Sequence, residues 1–171
     1  MEIWDLYDEK RRIIGEHIRG TQLPDNTFHL VVHVWICNDQ GQYLMTQRSA
    51  DKPRYPLYWE CVGGAVQKGE TSLQGALREV EEEIGLRFRQ EDVEYVFSQI
   101  RKTENGIRYQ DINDVYLIPY NGSVSLEKAL TKEVAQVRWM DVEEIVNLKK
   151  EGKLIYDIKN LDYFFTKLNS R

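Results

Sequence analysis

Hydrophobic and polar positions along the chain alternate between a strand-like and a helix-like period. Residues 28–37, FHLVVHVWIC, form a β-branched and aromatic run. The turn signal Asn38-Asp39-Gln40-Gly41 separates it from a second strand near 42–48, so a hairpin is expected. Pro53 and Pro56 keep 49–57 extended, because a residue before proline avoids the helical region, and a short strand is expected over 58–62. Asn105-Gly106 tolerates positive φ at both positions and joins β-rich stretches at 94–102 and 107–119 in another hairpin. A strand over 134–140 leads into a helix over 142–150, opened by Asp141 and Glu144 in a D-x-x-E capping pattern. Ile155, Ile158, Leu161, Phe164, Phe165 and Leu168 recur at helical spacing and predict a last helix with one face on the sheet. The first 20 residues read as a small β-rich appendage. No composition shift marks a boundary, so one domain over 1–171 is expected, of α/β class with a mixed sheet covered by helices.

The most informative segment is 70–86, ETSLQGALREVEEEIGL. Thr71 and Gln74 form a capping-box pattern, and Gly85 suits the left-handed position past a helix end, which predicts a helix over 72–84. Leu73, Ala76, Leu77, Val80 and Ile84 fall on one arc and face the core. Glu79, Glu82 and Glu83 lie at i, i+3 and i+4 on a second face, Glu81 projects elsewhere, and Gly75 leaves the carboxylate face open. Three like charges on one turn repel. A solvated acidic stripe is the commoner explanation of such a run taken alone. A hard divalent cation would remove the conflict, and carboxylate oxygens are what Mg²⁺ or Mn²⁺ prefers.

Charge and composition narrow the classes. The chain has 171 residues, 23 Lys+Arg against 28 Asp+Glu and a net charge of −5, which argues against a general affinity for nucleic-acid backbones. No apolar run reaches the length of a membrane helix; Leu30 to Cys37 is the longest and contains His33. The start lacks the positive and apolar segments of a secretory leader, so a cytoplasmic location is the expectation, with Cys37 and Cys61 as thiols.

The spacing upstream of the three glutamates decides between stripe and site. Gly64, five residues, Glu70, seven residues, then Arg78-Glu79-Val80-Glu81-Glu82-Glu83-Ile84-Gly85-Leu86 resembles the Nudix box, G-x5-E-x7-R-E-U-x-E-E-x-G-U with U apolar, and every defined position matches over 64–86. The resemblance implies an α/β/α sandwich around a mixed sheet and hydrolysis within the diphosphate of a nucleoside diphosphate derivative or similar organic pyrophosphate, with Mg²⁺ or, in its place, Mn²⁺. It implies metal binding by Glu79, Glu82, Glu83 and the Gly64 carbonyl, and a supporting role for Glu70 and Arg78. Glu133, six residues before Trp139-Met140, has the spacing at which some Nudix hydrolases carry a proton-accepting glutamate. A loop carboxylate in water is the equal alternative. Among Arg48, Lys52, Arg54 and Lys68, Arg48 is the candidate for diphosphate oxygens through its planar fork.

A second resemblance competes. WDLYDE, His29-Leu30, Gln47-Arg48-Ser49 and Pro56-Leu57-Tyr58-Trp59 look like the branch related to isopentenyl-diphosphate isomerase, which shifts a double bond using a cysteine and metal-bound histidines. His29 matches one histidine, but Gln22 stands where another is expected, and WECVGGAVQKGE lacks the Cys-x-His element. These departures favour hydrolysis over isomerisation. His29 and His33 read as hydrogen-bonded sheet residues rather than zinc ligands, and Cys61 as a small buried hydrophobe. A nucleotide-binding regulator on the same scaffold is a third alternative. The expected partner is a small-molecule diphosphate; a homodimer rests on general frequency alone.

Overall fold

The computed structural model describes residues 1–104, 107–155 and 161–170. Strands β1 (Ile3–Tyr7) and β2 (Ile13–Ile18) pair antiparallel in a small sheet of their own. A seven-stranded sheet among the described residues holds β3 (His29–Cys37), β4 (Tyr43–Arg48), β5 (Trp59–Glu60), β6 (Val62–Ala65), β7 (Glu94–Glu104), β8 (Ile107–Pro119) and β9 (Val134–Met140). The sheet is mixed, because β3 and β8 run parallel from His29↔Asp111 to Cys37↔Pro119 while the other pairs are antiparallel.

Period-two alternation divides the core between two faces. Leu30, Val32, Val34 and Ile36 of β3 meet Ala76, Val80 and Ile84 of helix α1 (Ser72–Ile84) on one face. Trp35 on the other meets Ile145 of α2 (Val142–Lys150) and Phe164 and Phe165 of α3 (Leu161–Asn169). This is the expected α/β/α sandwich. Ala76, Val80 and Ile84 are buried and Leu73 and Leu77 half-buried, as their arc predicts. Burying an Ile or Val side chain contributes roughly 1.5–3 kcal/mol, so the apolar face of α1 fixes how its acidic face is presented. The Thr71 Oγ1 accepts from the Gln74 amide at 3.2 Å and the Gln74 side chain accepts from the Thr71 amide at 2.8 Å, closing the capping box.

Three local expectations are corrected. The β3–β4 hairpin pairs only at Cys37↔Tyr43, after which the two strands splay and the 59–65 segment enters the wedge. It pairs first with β4 through Gln47↔Trp59 and Thr46↔Glu60, then with β3 through Val34↔Val62 to Val31↔Ala65. The expected single strand over 58–62 is therefore two, divided at Cys61. Gly63 permits the close approach, since a Cβ there would overlap the Val32 carbonyl. Ile155 does not belong to the last helix, because its backbone is engaged elsewhere: the Lys153 carbonyl accepts from the Trp59 amide at 2.8 Å and the Ile155 amide donates to the Trp59 carbonyl at 3.1 Å. Gly75 does not open the carboxylate face; it is buried against Val66, whose Cγ2 would lie 2.9 Å from an added Cβ. Asn105-Gly106 and Ile158 lie outside the described residues.

Gly85 ends α1 at φ +71°, with its amide donating to the Glu81 carbonyl at 3.0 Å. An added Cβ would also overlap the Lys128 backbone. Gly85→Ala is expected to cost at least about 2 kcal/mol, since the left-handed conformation alone costs roughly 1–2 kcal/mol for other residues; a urea unfolding midpoint within error of wild type would contradict this.

Candidate active site

The 66–70 loop carries the chain from β6 to the Thr71 cap and is organised by one ion pair. The Glu70 carboxylate accepts from the Gln67 amide at 2.9 Å, then from Arg78 Nε at 2.8 Å and Nη2 at 3.0 Å. Arg78 Nη2 also donates to the Ala65 carbonyl at 2.9 Å, which ties the helix to the end of β6. Its other terminal nitrogen reaches Glu79 Oε1 at 2.7 Å and Glu82 Oε2 at 3.1 Å. Burial works against the Arg78 charge, yet the ion pairs with Glu70 and Glu79 hold its pKa above the ordinary value.

The same turn of α1 presents its carboxylates to the wedge strand. Glu79 packs on Gly64, where any Cβ would overlap the carboxylate. Burial raises the Glu79 pKa, opposed by the Arg78 charge. Glu83 is only 6% exposed; its Oε2 has no hydrogen-bond partner among the described residues, and its carboxylate accepts from the Gly63 backbone. Burial pushes the Glu83 carboxyl well above the usual carboxylate range, and the neighbouring charges of Glu60, Glu79 and Glu133 push it the same way.

Glu133 reaches this neighbourhood from the far side of the sequence. The Glu82 carbonyl accepts from the Leu130 and Thr131 amides at 3.0 Å each, so the loop that precedes β9 hangs on the same helical turn. The Glu133 carbonyl accepts from the Ser49 amide at 2.8 Å and its half-exposed carboxylate pairs with Lys52. Arg48, expected to face substrate, donates through Nη1 to Glu60 Oε1 at 2.9 Å and through Nε to the Arg54 carbonyl at 3.1 Å. Lys68 stands apart from that group, paired with Glu16 of β2.

Glu60 is the site residue the sequence reading missed. Burial raises its pKa, with Arg48 and Lys52 opposing. The signal was present in the alternation. Trp59 and Cys61 point into the α2–α3 face while Val62 points to α1, so the one acid in W-E-C-V falls on the side of the acidic helix.

The donor set fits a hard cation. It consists of carboxylates and a backbone carbonyl, it includes a buried oxygen without a partner, and its crowded anions disfavour one another's ionisation. Among the described residues no three Asp, Glu, His or Cys side chains converge on one point as a preformed cage. The Arg78 guanidinium stands between Glu79 and Glu82 and is the positive charge they share.

The family model for the NUDIX domain matches residues 27–159. The chain belongs to the Nudix hydrolase family. It is 37% identical over 167 residues to an uncharacterised Nudix hydrolase of Listeria monocytogenes, covering 96% of this chain and 91% of that protein. It is 30% identical over 125 residues to an isopentenyl-diphosphate Δ-isomerase of Klebsiella pneumoniae, covering 72% of this chain and 66% of that protein. A crystal structure of a Deinococcus radiodurans protein superposes with a TM-score of 0.74 at 22% identity, over 98% of this chain and 99% of that one, and so shares the fold. Nudix hydrolases cleave within diphosphates. No helix among the described residues is long and apolar enough to cross a membrane.

The residues that would serve isomerase chemistry are elsewhere and differently engaged. Cys61 is fully buried in the core on the opposite face from α1. His33 Nδ1 meets the Asn113 amide nitrogen at 3.1 Å. His29 stacks on Trp4 with ring centroids 4.2 Å apart and planes 11° from parallel. Burial, reinforced by the Arg101 charge, lowers the His29 pKa to about 4. The folded chain therefore favours a neutral ring: this stability is present above the ordinary histidine pKa near 6.5 and is lost as pH falls through about 4. Removing the titration while keeping the stack, by His29→Phe, is expected to lessen the stability lost between pH 7 and pH 3.5 by about 3 kcal/mol. Urea unfolding at the two pH values checks this, and equal losses in variant and wild type would contradict it.

Proposed function

We propose that this Nudix hydrolase, acting as a single domain over 1–171, cleaves a diphosphate linkage in a nucleoside diphosphate derivative or a similar small organic pyrophosphate, using Mg²⁺ with Mn²⁺ as a substitute. The observation that carries the reading is the buried Glu83 oxygen without a partner, set among Glu60, Glu79 and Glu133 and beside Gly64. Glu79, Glu82, Glu83 and the Gly64 carbonyl would hold the ion. When bound, the cation supplies positive charge to the diphosphate oxygens and makes the attacking water more acidic.

The chain's own residues do the rest. Glu133, half-exposed and held by Lys52, accepts the proton from that water at its carboxylate. Lys52 and Arg48 add positive charge at the same edge, and Arg48 exchanges Glu60 for a diphosphate oxygen when substrate enters, since its guanidinium suits either anion. Glu70 and Arg78 keep the loop and helix in register. A reducing cytosol, with Cys37 and Cys61 as thiols, is part of this reading. Isomerisation finds little support here, because the cysteine nearest the box is shut in the core.

Two measurements test the proposal. Phosphate or nucleotide release is expected from at least one member of a panel of nucleoside diphosphates, sugar nucleotides, dinucleotides and oxidised nucleoside triphosphates, with metal and not without it. Glu83→Gln is expected to lower that turnover by roughly a thousandfold or more and to abolish the rise in melting temperature that Mg²⁺ gives the wild type. Wild-type turnover in the variant would overturn the assignment, as would allylic product from isopentenyl diphosphate without phosphate release.

A further inference from the structure

We infer that the β1–β2 hairpin is a clamp that positions the start of α1, and that Asp5 and Arg11 are its positioning residues. The hairpin grips both sides of the Thr71 cap. On the loop side, the Gly69 amide donates to Asp5 Oδ2 at 2.9 Å, the Lys68 amide donates to the Ile3 carbonyl at 2.8 Å, and the Lys68 ammonium pairs with Glu16. On the helix side, Arg11 at the hairpin tip forks onto Asp114 of β8, with Nη1 at 2.7 Å from Oδ1 and Nη2 on Oδ2, and Nη1 also reaches Ser98 Oγ at 3.3 Å. Asp114, 1% exposed, accepts from Ser72, the first residue of α1. The Ser72 hydroxyl in turn accepts from the Tyr116 hydroxyl at 2.9 Å.

These contacts do not amount to ordinary core burial. Ile13 and Ile14 on β2 are 62% and 53% exposed, so the outer strand adds little apolar packing. Leu6 and Tyr7 hold β1 in the core, and the polar contacts add directional anchors aimed at one turn. The turn end of β1 is pinned where Tyr7 and Phe28 exchange both backbone hydrogen bonds, at 2.8 and 2.9 Å. Arg11 itself sits at φ +60°, a conformation most side chains avoid, and its fork on Asp114 holds it there. From Gly69 the chain passes to Glu70, from Glu70 to Arg78, and from Arg78 to Glu79 and Glu82. The clamp thereby sets where the carboxylates stand, although it lies ahead of the residues that the family model matches.

The consequence for metal binding rests on the proposed function; the consequence for the helix does not. The experiment is hydrogen exchange read by mass spectrometry on the full-length, metal-free chain, together with the Mn²⁺ concentration that half-saturates its thermal stabilisation. Asp5→Ala is expected to speed exchange at 66–78 about tenfold while β7 and β8 keep wild-type rates, and to raise the Mn²⁺ half-saturation severalfold. Arg11→Ala is expected to act likewise on the first turn of α1. Asp5→Asn retains an acceptor for the Gly69 amide and should restore most of both values, which a general loss of stability would not. Unchanged exchange at 66–78, faster exchange spread evenly along the chain, or an Asn variant as disturbed as the Ala variant would each overturn the clamp. If Mn²⁺ fails to stabilise the wild type, the metal reading falls, and the exchange result still decides the clamp.

Discussion

The structure depends on a carboxylate placed where carboxylates are least welcome. Glu83 lies in the interface between α1 and the wedge strand with one oxygen unpartnered, and leaving a buried polar group unsatisfied costs about 1–3 kcal/mol, more when it is charged. Glu60 and Glu79 crowd it, and burial raises the pKa of all three. An arrangement this unfavourable to its own ionisation persists because the apolar side of the same helix, through Ala76, Val80 and Ile84, is locked into the core.

One arginine sustains the arrangement. Arg78 gathers Glu70, Glu79, Glu82 and the Ala65 carbonyl in a single planar fork, and so couples the loop, the end of β6 and the acidic face. Lysine could not hold this many partners in fixed directions. Gly63 and Gly64 supply the other half of the geometry. One lets β6 press against β3, and the other lets the Glu79 carboxylate press against β6.

Much of this was legible in the residues themselves. Thr71, Gln74 and Gly85 marked both ends of α1, because caps are local chemistry, and the spacing from Gly64 to Glu83 was enough to place the acidic face. Legibility failed where distant chain segments compete for the same hydrogen bonds. The 28–48 hairpin reads correctly as two strands, yet neither strand announces that 59–65 will be inserted between them. Ile155 has the right spacing for a helix and is held by Trp59 instead. Glu60 was overlooked because its importance lies in a partner 23 residues on, and the roles of Asp5 and Arg11 depend on contacts with Gly69 and Asp114 that no local pattern encodes.

The central claim is that these carboxylates are stable together because a divalent ion completes them. Its most direct measurement is an anomalous difference map, collected at the manganese edge from crystals grown with MnCl₂ at neutral pH. The account predicts a peak within ligand reach of Glu83, Glu79 and the Gly64 carbonyl, with Arg78 still joined to Glu70. No peak at that position, with Glu79 and Glu82 still on Arg78 at saturating Mn²⁺, would contradict it.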